Sequence, residues 1–185
     1  LSKDEVFVDC GAYVGDTIKK FLSVCKNSYK RIVAFEPDES LSALIPALPR
    51  CVIISKGVWN KKDTLAFDAN RGGSGKIREA SRCYLTNLLA GPVISGAVQV
   101  DAIDNIPECA AATFIKMDIE GAEQNALAGA EKTIRRNRPK LAICIYHSDE
   151  DMLDIPERVL ALNMGYKLYV RHHLGTIYET VLYAV

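Results

Sequence analysis

The chain has 185 residues with 23 basic and 23 acidic side chains, so its formal net charge is zero. This length is typical of one domain with a core of its own, and we expect a single domain over residues 1–185. Zero net charge argues against a nucleic-acid-binding protein, because such proteins carry a basic surface. The six cysteines form no CxxC pair, so we expect no structural zinc site.

Targeting features are also missing from the sequence. No apolar stretch is long enough to cross a membrane, and no signal peptide is visible. Several cysteines lie in apolar runs, as is typical of buried thiols in a reducing compartment. We therefore expect a cytoplasmic protein without a membrane partner. The chain begins without methionine, which is typical of a fragment.

In the first part of the chain, short apolar runs alternate with helical periodicity. The predicted elements are strand Val6–Val8, helix Thr17–Cys25, strand Arg31–Phe35, helix Ser40–Leu48 and strand Cys51–Ile54. Pro46 lies inside the second helix and is expected to kink it or end it early.

The middle of the chain is rich in glycine and shows no strong periodicity. Two short strands, Thr64–Phe67 and Ala97–Val100, are expected to pair with each other. A long loop inside a compact domain is usually functional, so we interpret residues 68–97 as a variable lid on the substrate side.

Regular alternation then returns. The predicted elements are strand Thr113–Met117, helix Glu120–Arg136, strand Leu141–Tyr146, helix Met152–Leu162, and the strands Tyr166–Val170 and Thr180–Val185. Strands rich in Ile and Val without polar alternation are buried on both faces, as in parallel sheets covered by helices. The prediction is a single Rossmann-like, doubly wound α/β sandwich. Its mostly parallel seven-stranded sheet ends in a C-terminal antiparallel hairpin.

A turn with two glycines, Gly11 and Gly15, follows the first strand and allows a ligand to approach the backbone closely. Asp9 stands where the dinucleotide fingerprint has its first glycine, and a carboxylate there repels a pyrophosphate. S-adenosylmethionine carries an ammonium and a sulfonium, so Asp9 favours it as the ligand. The alternative is that Asp9 only caps the following helix.

Glu36 ends the second strand, 21 residues after Gly15. An acidic side chain at this position accepts hydrogen bonds from ribose hydroxyls in doubly wound folds. The alternative is an acid at a helix entry, with Pro37 at the turn. Val58 and Trp59 follow the third strand, and their position suggests that one of them flanks the adenine.

Asp118 ends the strand Thr113–Met117, at the edge of the sheet where doubly wound folds bind ligands. Glu120 and Glu123 open the next helix, where acids complement the helix dipole. His147 follows the neighbouring strand and is the best general base by type, because its ordinary pKa lies near working pH. We predict that Asp118 and His147 together face the transferable methyl group of S-adenosylmethionine and the molecule that accepts it. The alternative is that His147 is a surface histidine that caps the next helix.

The same pair raises the question of a metal ion. Mg²⁺ prefers oxygen ligands, whereas His147 offers nitrogen. A softer metal needs a third protein ligand that the sequence does not identify. We therefore expect catalysis without a metal.

Three motifs resemble those of the FkbM family of methyltransferases. They are Val8–Asp16, Ala34–Pro37 and Ile115–Glu123, accompanied by the pair Tyr146-His147. The resemblance runs from Val6 to the C-terminus. It implies a class I methyltransferase fold and transfer of a methyl group from S-adenosylmethionine to a hydroxyl.

The resemblance also implies which residues hold the cofactor. They are the motif residues Asp9, Gly11, Gly15 and Glu36, to which we add their neighbours Ala12, Tyr13 and Pro37. The expected acceptor is a small molecule or a glycan. Two other classes stay open: a scaffold protein that kept the fold and lost catalysis, and a nicotinamide-dependent oxidoreductase, against which Asp9 argues.

Overall fold

The fold is known from a computed structural model that describes residues 1–68, 76–78, 96–173, 175 and 178–185. The strands are β1 (Val6–Cys10), β2 (Arg31–Phe35), β3 (Cys51–Ile54), β4 (Gly57–Val58), β5 (Asp63–Asp68), β6 (Lys76–Arg78), β7 (Gly96–Asp101), β8 (Phe114–Met117), β9 (Lys140–Cys144), β10 (Leu168–His172) and β11 (Thr180–Ala184). The α-helices are α1 (Asp16–Cys25), α2 (Glu39–Ser42), α3 (Glu123–Ala128), α4 (Glu131–Asn137) and α5 (Asp151–Ala161). Two short 3-10 helices, Ile103–Asn105 and Pro107–Cys109, precede β8.

Seven strands form one sheet in the order β10-β11-β9-β8-β1-β2-β3. Within the run β9-β8-β1-β2-β3, each strand is parallel to the next one. In contrast, β11 runs antiparallel to both β9 and β10. The predicted mostly parallel seven-stranded sheet with a C-terminal antiparallel hairpin is confirmed. The carboxyl ends of β1, β2 and β8 consequently meet at one edge of the sheet.

Both faces of this sheet are buried, because successive residues of a strand point to opposite sides. In β1, Phe7 packs with Ile18 and Phe21 of α1, whereas Val8 belongs to the core on the other face. The core that contains Val8 also includes Ile134 of α4 and Ile155 of α5. Covering both faces with helices explains why the strand sequences are apolar without alternation.

A second sheet lies in the middle of the chain, with the order β4-β7-β5-β6. The predicted pairing of the two short strands is confirmed, since β5 runs antiparallel to β7. The sequence pattern missed β6, which pairs with the end of β5. Most of the predicted lid, residues 68–97, lies outside the described residues.

Two helix predictions were wrong in extent. The helix expected over Ser40–Leu48 is confined to α2, and the chain after it reaches Pro46 outside a helix. The helix expected over Glu120–Arg136 starts later because Glu120 and Gly121 have φ values of 58° and 96°. It also divides into α3 and α4 at Gly129.

No helix in the described ranges is both long and apolar enough to cross a membrane. The five cysteines that the structure describes are free thiols.

Gly129 gives a testable consequence of this packing. A Cβ atom there would lie 2.0 Å from the backbone carbonyl oxygen of Trp59. Relieving this clash would require a shift of the backbone, which costs more free energy than the rotation of a side chain. We expect Gly129→Ala to lower the free energy of unfolding in urea by roughly 1–3 kcal/mol. Gly96→Ala is the matched control, because no atom of the described residues, other than those of Gly96 and its chain neighbours, lies within 4 Å of a Cβ there. Equal stability of the two variants would contradict this account of the break between α3 and α4.

Candidate active site

A crevice lies at the carboxyl edge of the sheet, between the turn after β1, the tip of β2, β4 and the turn after β8. Its lining includes Gly11, Pro37, Val58, Asp118 and Glu120. Ile77 of β6 also lines the crevice, although no pattern in the sequence pointed to this residue. The crevice therefore brings together the glycine turn, the tip of β2, β4 and the segment after β8, all of which were predicted to contact the cofactor or the acceptor, whereas His147 lies behind Asp118 with its side chain 4% exposed.

The glycine turn is held tightly against the neighbouring strands. Gly11 adopts φ 78°, and a Cβ atom there would lie 1.9 Å from the carbonyl oxygen of Asp118. The N–H groups of Gly11 and Ala12 both donate to the carbonyl oxygen of Phe35, at 3.0 and 2.9 Å. Only glycine fits this approach, so Gly11 is required for the contact between the turn and Asp118.

Asp9 does not reach the crevice. Its side chain is fully buried, with Oδ1 3.2 Å from Nζ of Lys116 on β8. Lys116 also donates to the carbonyl oxygen of Gly11 at 2.8 Å. The expected direct contact between Asp9 and a ligand is therefore corrected: Lys116 already neutralises this carboxylate beneath the turn. Lys116 is the one charged residue of β8, a signal in the sequence that was not used.

The buried pair strongly perturbs both groups. Burial raises the pKa of the Asp9 carboxyl, and the nearby Lys116 ammonium opposes that shift. Burial alone would lower the pKa of Lys116, but the charges of Asp9 and Asp118 raise it well above its usual range. The two carboxylates therefore favour the charged form of Lys116 under the glycine turn.

Three other predicted cofactor residues also contribute mainly to the scaffold. Ala12 is buried against α1 in the core, and Gly15 precedes α1 with φ 79° and packs against Ile45. Tyr13 is 40% exposed, and its backbone N–H donates to Glu36 Oε2 at 2.9 Å. Their backbone shapes the turn, whereas Gly11 lines the crevice.

Glu36 lies at the tip of β2, as its position in the sequence predicts. Its two carboxylate oxygens accept hydrogen bonds from the N–H groups of Tyr13 and Asp38, at 2.9 and 3.0 Å. Burial raises the pKa of this carboxyl. Each oxygen has a second lone pair, so Glu36 can still accept a ribose hydroxyl.

The two neighbouring residues predicted to flank the adenine, at the end of β4, have different surroundings. Val58 lines the crevice, whereas Trp59 is buried with Leu65, Val100 and Ala122.

Asp118 and His147 lie next to each other because β8 and β9 are adjacent parallel strands. Asp118 Oδ1 is 3.5 Å from His147 Nε2 and accepts a hydrogen bond of 3.2 Å from the Tyr146 hydroxyl. The structure thus brings together the two residues predicted to face the acceptor. The Asp118 side chain is 31% exposed and that of His147 is 4% exposed.

Two further carboxylates surround His147. Glu120 Oε2 lies 3.8 Å from Nε2, and Glu123 Oε1 lies 2.9 Å from Nδ1. Burial lowers the pKa of the imidazole, but Glu123, Asp118 and Glu120 outweigh it and raise the pKa above the ordinary value of 6.5. The interpretation of Glu120 and Glu123 as acids that only complement a helix dipole is thus incomplete.

This cluster contains groups that could bind a metal ion. Asp118, Glu123 and His147 offer ligand atoms within 4.8 Å of one another. However, the Glu123 oxygens already accept backbone N–H groups of Ile119 and Gly121, at 2.8 and 2.9 Å. Asp118 Oδ1 likewise has the Tyr146 hydroxyl as its donor. Each of these oxygens keeps a second lone pair, so the same cluster has the chemistry of an acid–base site and of a metal site.

Comparison with known proteins relates this architecture to methyltransferases. The sequence model of the methyltransferase FkbM domain matches residues 9–168. A crystal structure of a methyltransferase FkbM from Methylobacillus flagellatus superposes on the whole chain with a TM-score of 0.79 and 28% sequence identity. This chain spans 44% of the length of that protein. No curated protein matches the sequence.

More distant structures share only the fold. A precorrin-6y C5,15-methyltransferase from Geobacter metallireducens has 13% identity and a TM-score of 0.55, with 100% of this chain and 81% of that chain covered. LepI, solved in complex with S-adenosylmethionine, has 8% identity and a TM-score of 0.50, with 98% of this chain and 42% of that chain covered. The class I methyltransferase fold is thereby confirmed.

The ion pair beneath the turn can be tested by substitution. Lys116→Met leaves the Asp9 carboxylate buried without a partner, which typically costs about 3–5 kcal/mol of unfolding free energy. We expect Asp9→Asn combined with Lys116→Met to recover part of this loss, as measured by urea denaturation. Lys132→Met, at an exposed lysine of α4, is the control and should change stability by less than about 0.5 kcal/mol. If Lys116→Met costs no more than the control, the pair does not stabilise the fold.

Proposed function

The chain belongs to the FkbM methyltransferase domain family, and from this premise we propose that it transfers a methyl group from S-adenosylmethionine to a hydroxyl group of a small molecule or sugar. The observation that supports the proposal best is the pair Asp118 and His147 beside the crevice, with Oδ1 and Nε2 3.5 Å apart. This places a proton acceptor next to the site proposed for the cofactor.

The charge of the crevice supports a cationic cofactor. Asp118 and Glu120 both line it, whereas the ammonium of the lining residue Lys56 is paired with Asp101 at 3.4 Å. The two carboxylates attract the sulfonium and ammonium groups of S-adenosylmethionine. They would repel the pyrophosphate of a nicotinamide dinucleotide. The electrostatic preference first inferred from Asp9 is therefore assigned to Asp118 and Glu120.

In the proposed complex, the Glu36 carboxylate accepts hydrogen bonds from the ribose hydroxyls, and Gly11 lies against the ligand. Pro37 and Val58 flank the adenosine from the tip of β2 and from β4. S-adenosylmethionine supplies a methyl group on a sulfonium that leaves as a neutral thioether. Alignment of the acceptor with the methyl group provides most of the acceleration, and the walls of the crevice supply this alignment.

The acceptor hydroxyl loses its proton as the new bond forms. The acceptor oxygen bonds to the methyl carbon, the carbon–sulfur bond breaks, and its electron pair stays on sulfur. We assign the hydroxyl proton to Nε2 of His147. Asp118 orients the hydroxyl or the imidazole and stabilises the positive charge that forms on the ring.

Binding of the cofactor is the first test. We expect S-adenosylhomocysteine to bind the purified protein in isothermal titration calorimetry and NAD to give no heat of binding. Glu36→Ala should weaken S-adenosylhomocysteine binding about ten- to hundredfold, because a charged hydrogen bond contributes roughly 1.5–3 kcal/mol. Glu39→Ala, at an exposed acid of α2, should bind like the unaltered protein. Tight NAD binding without S-adenosylhomocysteine binding would rule out the proposed cofactor.

Turnover is the second test. We expect Asp118→Ala and His147→Ala to retain S-adenosylhomocysteine binding but to lose turnover, by about a hundred- to ten-thousandfold for His147. The assay measures transfer of tritiated methyl groups to a panel of monosaccharides and simple alcohols. His173→Ala, which alters an exposed histidine paired with Tyr183, should leave the rate unchanged, as should a chelator. Turnover that a chelator abolishes and added metal restores would overturn the metal-free mechanism. Cofactor binding without transfer to any acceptor would favour a scaffold protein.

A further inference from the structure

The loop after Asp118 folds around a single buried carboxylate, that of Glu123. Glu120 and Gly121 have φ values of 58° and 96°, and this left-handed turn directs two backbone N–H groups inwards. The N–H of Ile119 donates to Glu123 Oε1 and the N–H of Gly121 donates to Oε2. Glu123 itself is fully buried. A carboxylate held by two backbone donors has little freedom to move.

This fixed carboxylate faces one particular atom of His147. Oε1 lies 2.9 Å from Nδ1, a hydrogen-bond length, although the ring N–H is not aligned with the oxygen. The outer torsion of a histidine is broad, so a small rotation of the ring aligns the two groups at little cost. Among the residues that the structure describes, the other ring nitrogen, Nε2, has no hydrogen-bond partner, and it faces the oxygens of Asp118 and Glu120 at 3.5 and 3.8 Å.

We infer that Glu123 is a positioning residue, which holds the neutral ring of His147 in the tautomer with its proton on Nδ1 and so leaves Nε2 free to take the proton of the acceptor hydroxyl. A carboxylate accepts but does not donate, so Nδ1 beside it must carry the proton. The inference rests on the function proposed above. After proton transfer the ring is cationic, and Glu123 stabilises that charge from the side opposite the acceptor.

Several other groups act on the same ring. Asp118 and Glu120 face Nε2, the ring of Tyr146 lies 4.2 Å from the imidazole between centroids, and Lys116 lies 3.9 Å from Asp118 Oδ2. The carboxylates favour the protonated ring in the free enzyme. Methyl transfer that needs the neutral ring therefore rises with pH as His147 loses its proton, above the ordinary pKa of histidine. Glu123→Gln removes one of these charges, so the acid limb of the pH–rate profile should move to lower pH.

The decisive experiment is nuclear magnetic resonance of the three histidines, which are few enough to assign. A pH titration of protein labelled with ¹⁵N on the imidazole gives the pKa and the neutral tautomer of each ring. In the unaltered protein we expect His147 to show the Nδ1–H tautomer and a pKa above its ordinary value. In Glu123→Gln the pKa should fall and the Nδ1–H preference should be lost.

Glu120→Gln is the matched control, because it also removes one negative charge beside His147 but from the Nε2 side. It should lower the pKa less and leave the tautomer unchanged. Glu123→Asp should restore part of the tautomer preference. A Nε2–H tautomer in the unaltered protein would overturn the inference even if Glu123→Gln does not fold. An equal effect of the two Gln variants on both readouts would overturn it as well.

These outcomes separate the inference from the proposed function. The expected tautomer and pKa changes in a protein that methylates no hydroxyl would uphold the role of Glu123 and reject the function. If the protein transfers methyl groups but Glu123→Gln leaves the His147 tautomer unchanged, the role of Glu123 is rejected and the function is upheld. Added Zn²⁺ that abolishes the pH titration of the His147 ring nitrogens would show that these nitrogens bind metal, and would overturn the inference.

Discussion

The buried ion pair between Asp9 and Lys116 fixes the geometry on which the candidate site depends. Lys116 lies on β8, yet its ammonium contacts a carboxylate on β1 and donates to the carbonyl oxygen of Gly11. It therefore joins the glycine turn to the strand that ends at Asp118. A buried carboxylate without such a partner is costly, so the position of the turn is coupled to the stability of the domain.

With Asp9 neutralised below the turn, the free negative charge of the crevice belongs to the segment after β8. Asp118 and Glu120 line the crevice, and Glu123 is buried behind His147. One short segment thus supplies three carboxylates with different surroundings. The two half-buried ones suit the cationic ligand proposed above, whereas the fully buried one suits the orientation of the imidazole that we propose as the base. This division depends on the left-handed turn at Glu120 and Gly121.

The sequence predicted the sheet and the meeting of Asp118 with His147, because both follow from apolar strands and their parallel order. It could not predict the burial of Asp9, since the partner Lys116 is distant along the chain and becomes a neighbour only when β1 pairs with β8. Local propensity also favoured one long helix from Glu120. The contact of Gly129 with Trp59 and the positive φ values before α3 are tertiary features that periodicity does not contain. In the sequence, Gly121 is an exception to the helical periodicity expected from Glu120, and Lys116 is an exception to the apolar character of β8.

In the proposed complex, the crevice presents the transferable methyl group to Asp118 and His147. A crystal structure of the protein with S-adenosylhomocysteine tests this arrangement most directly, because the thioether sulfur marks the position that the methyl group leaves. The account predicts the ribose within hydrogen-bond distance of Glu36 and the sulfur directed towards the Asp118–His147 pair. A ligand bound outside the crevice, or with its sulfur directed away from the pair, would contradict the account.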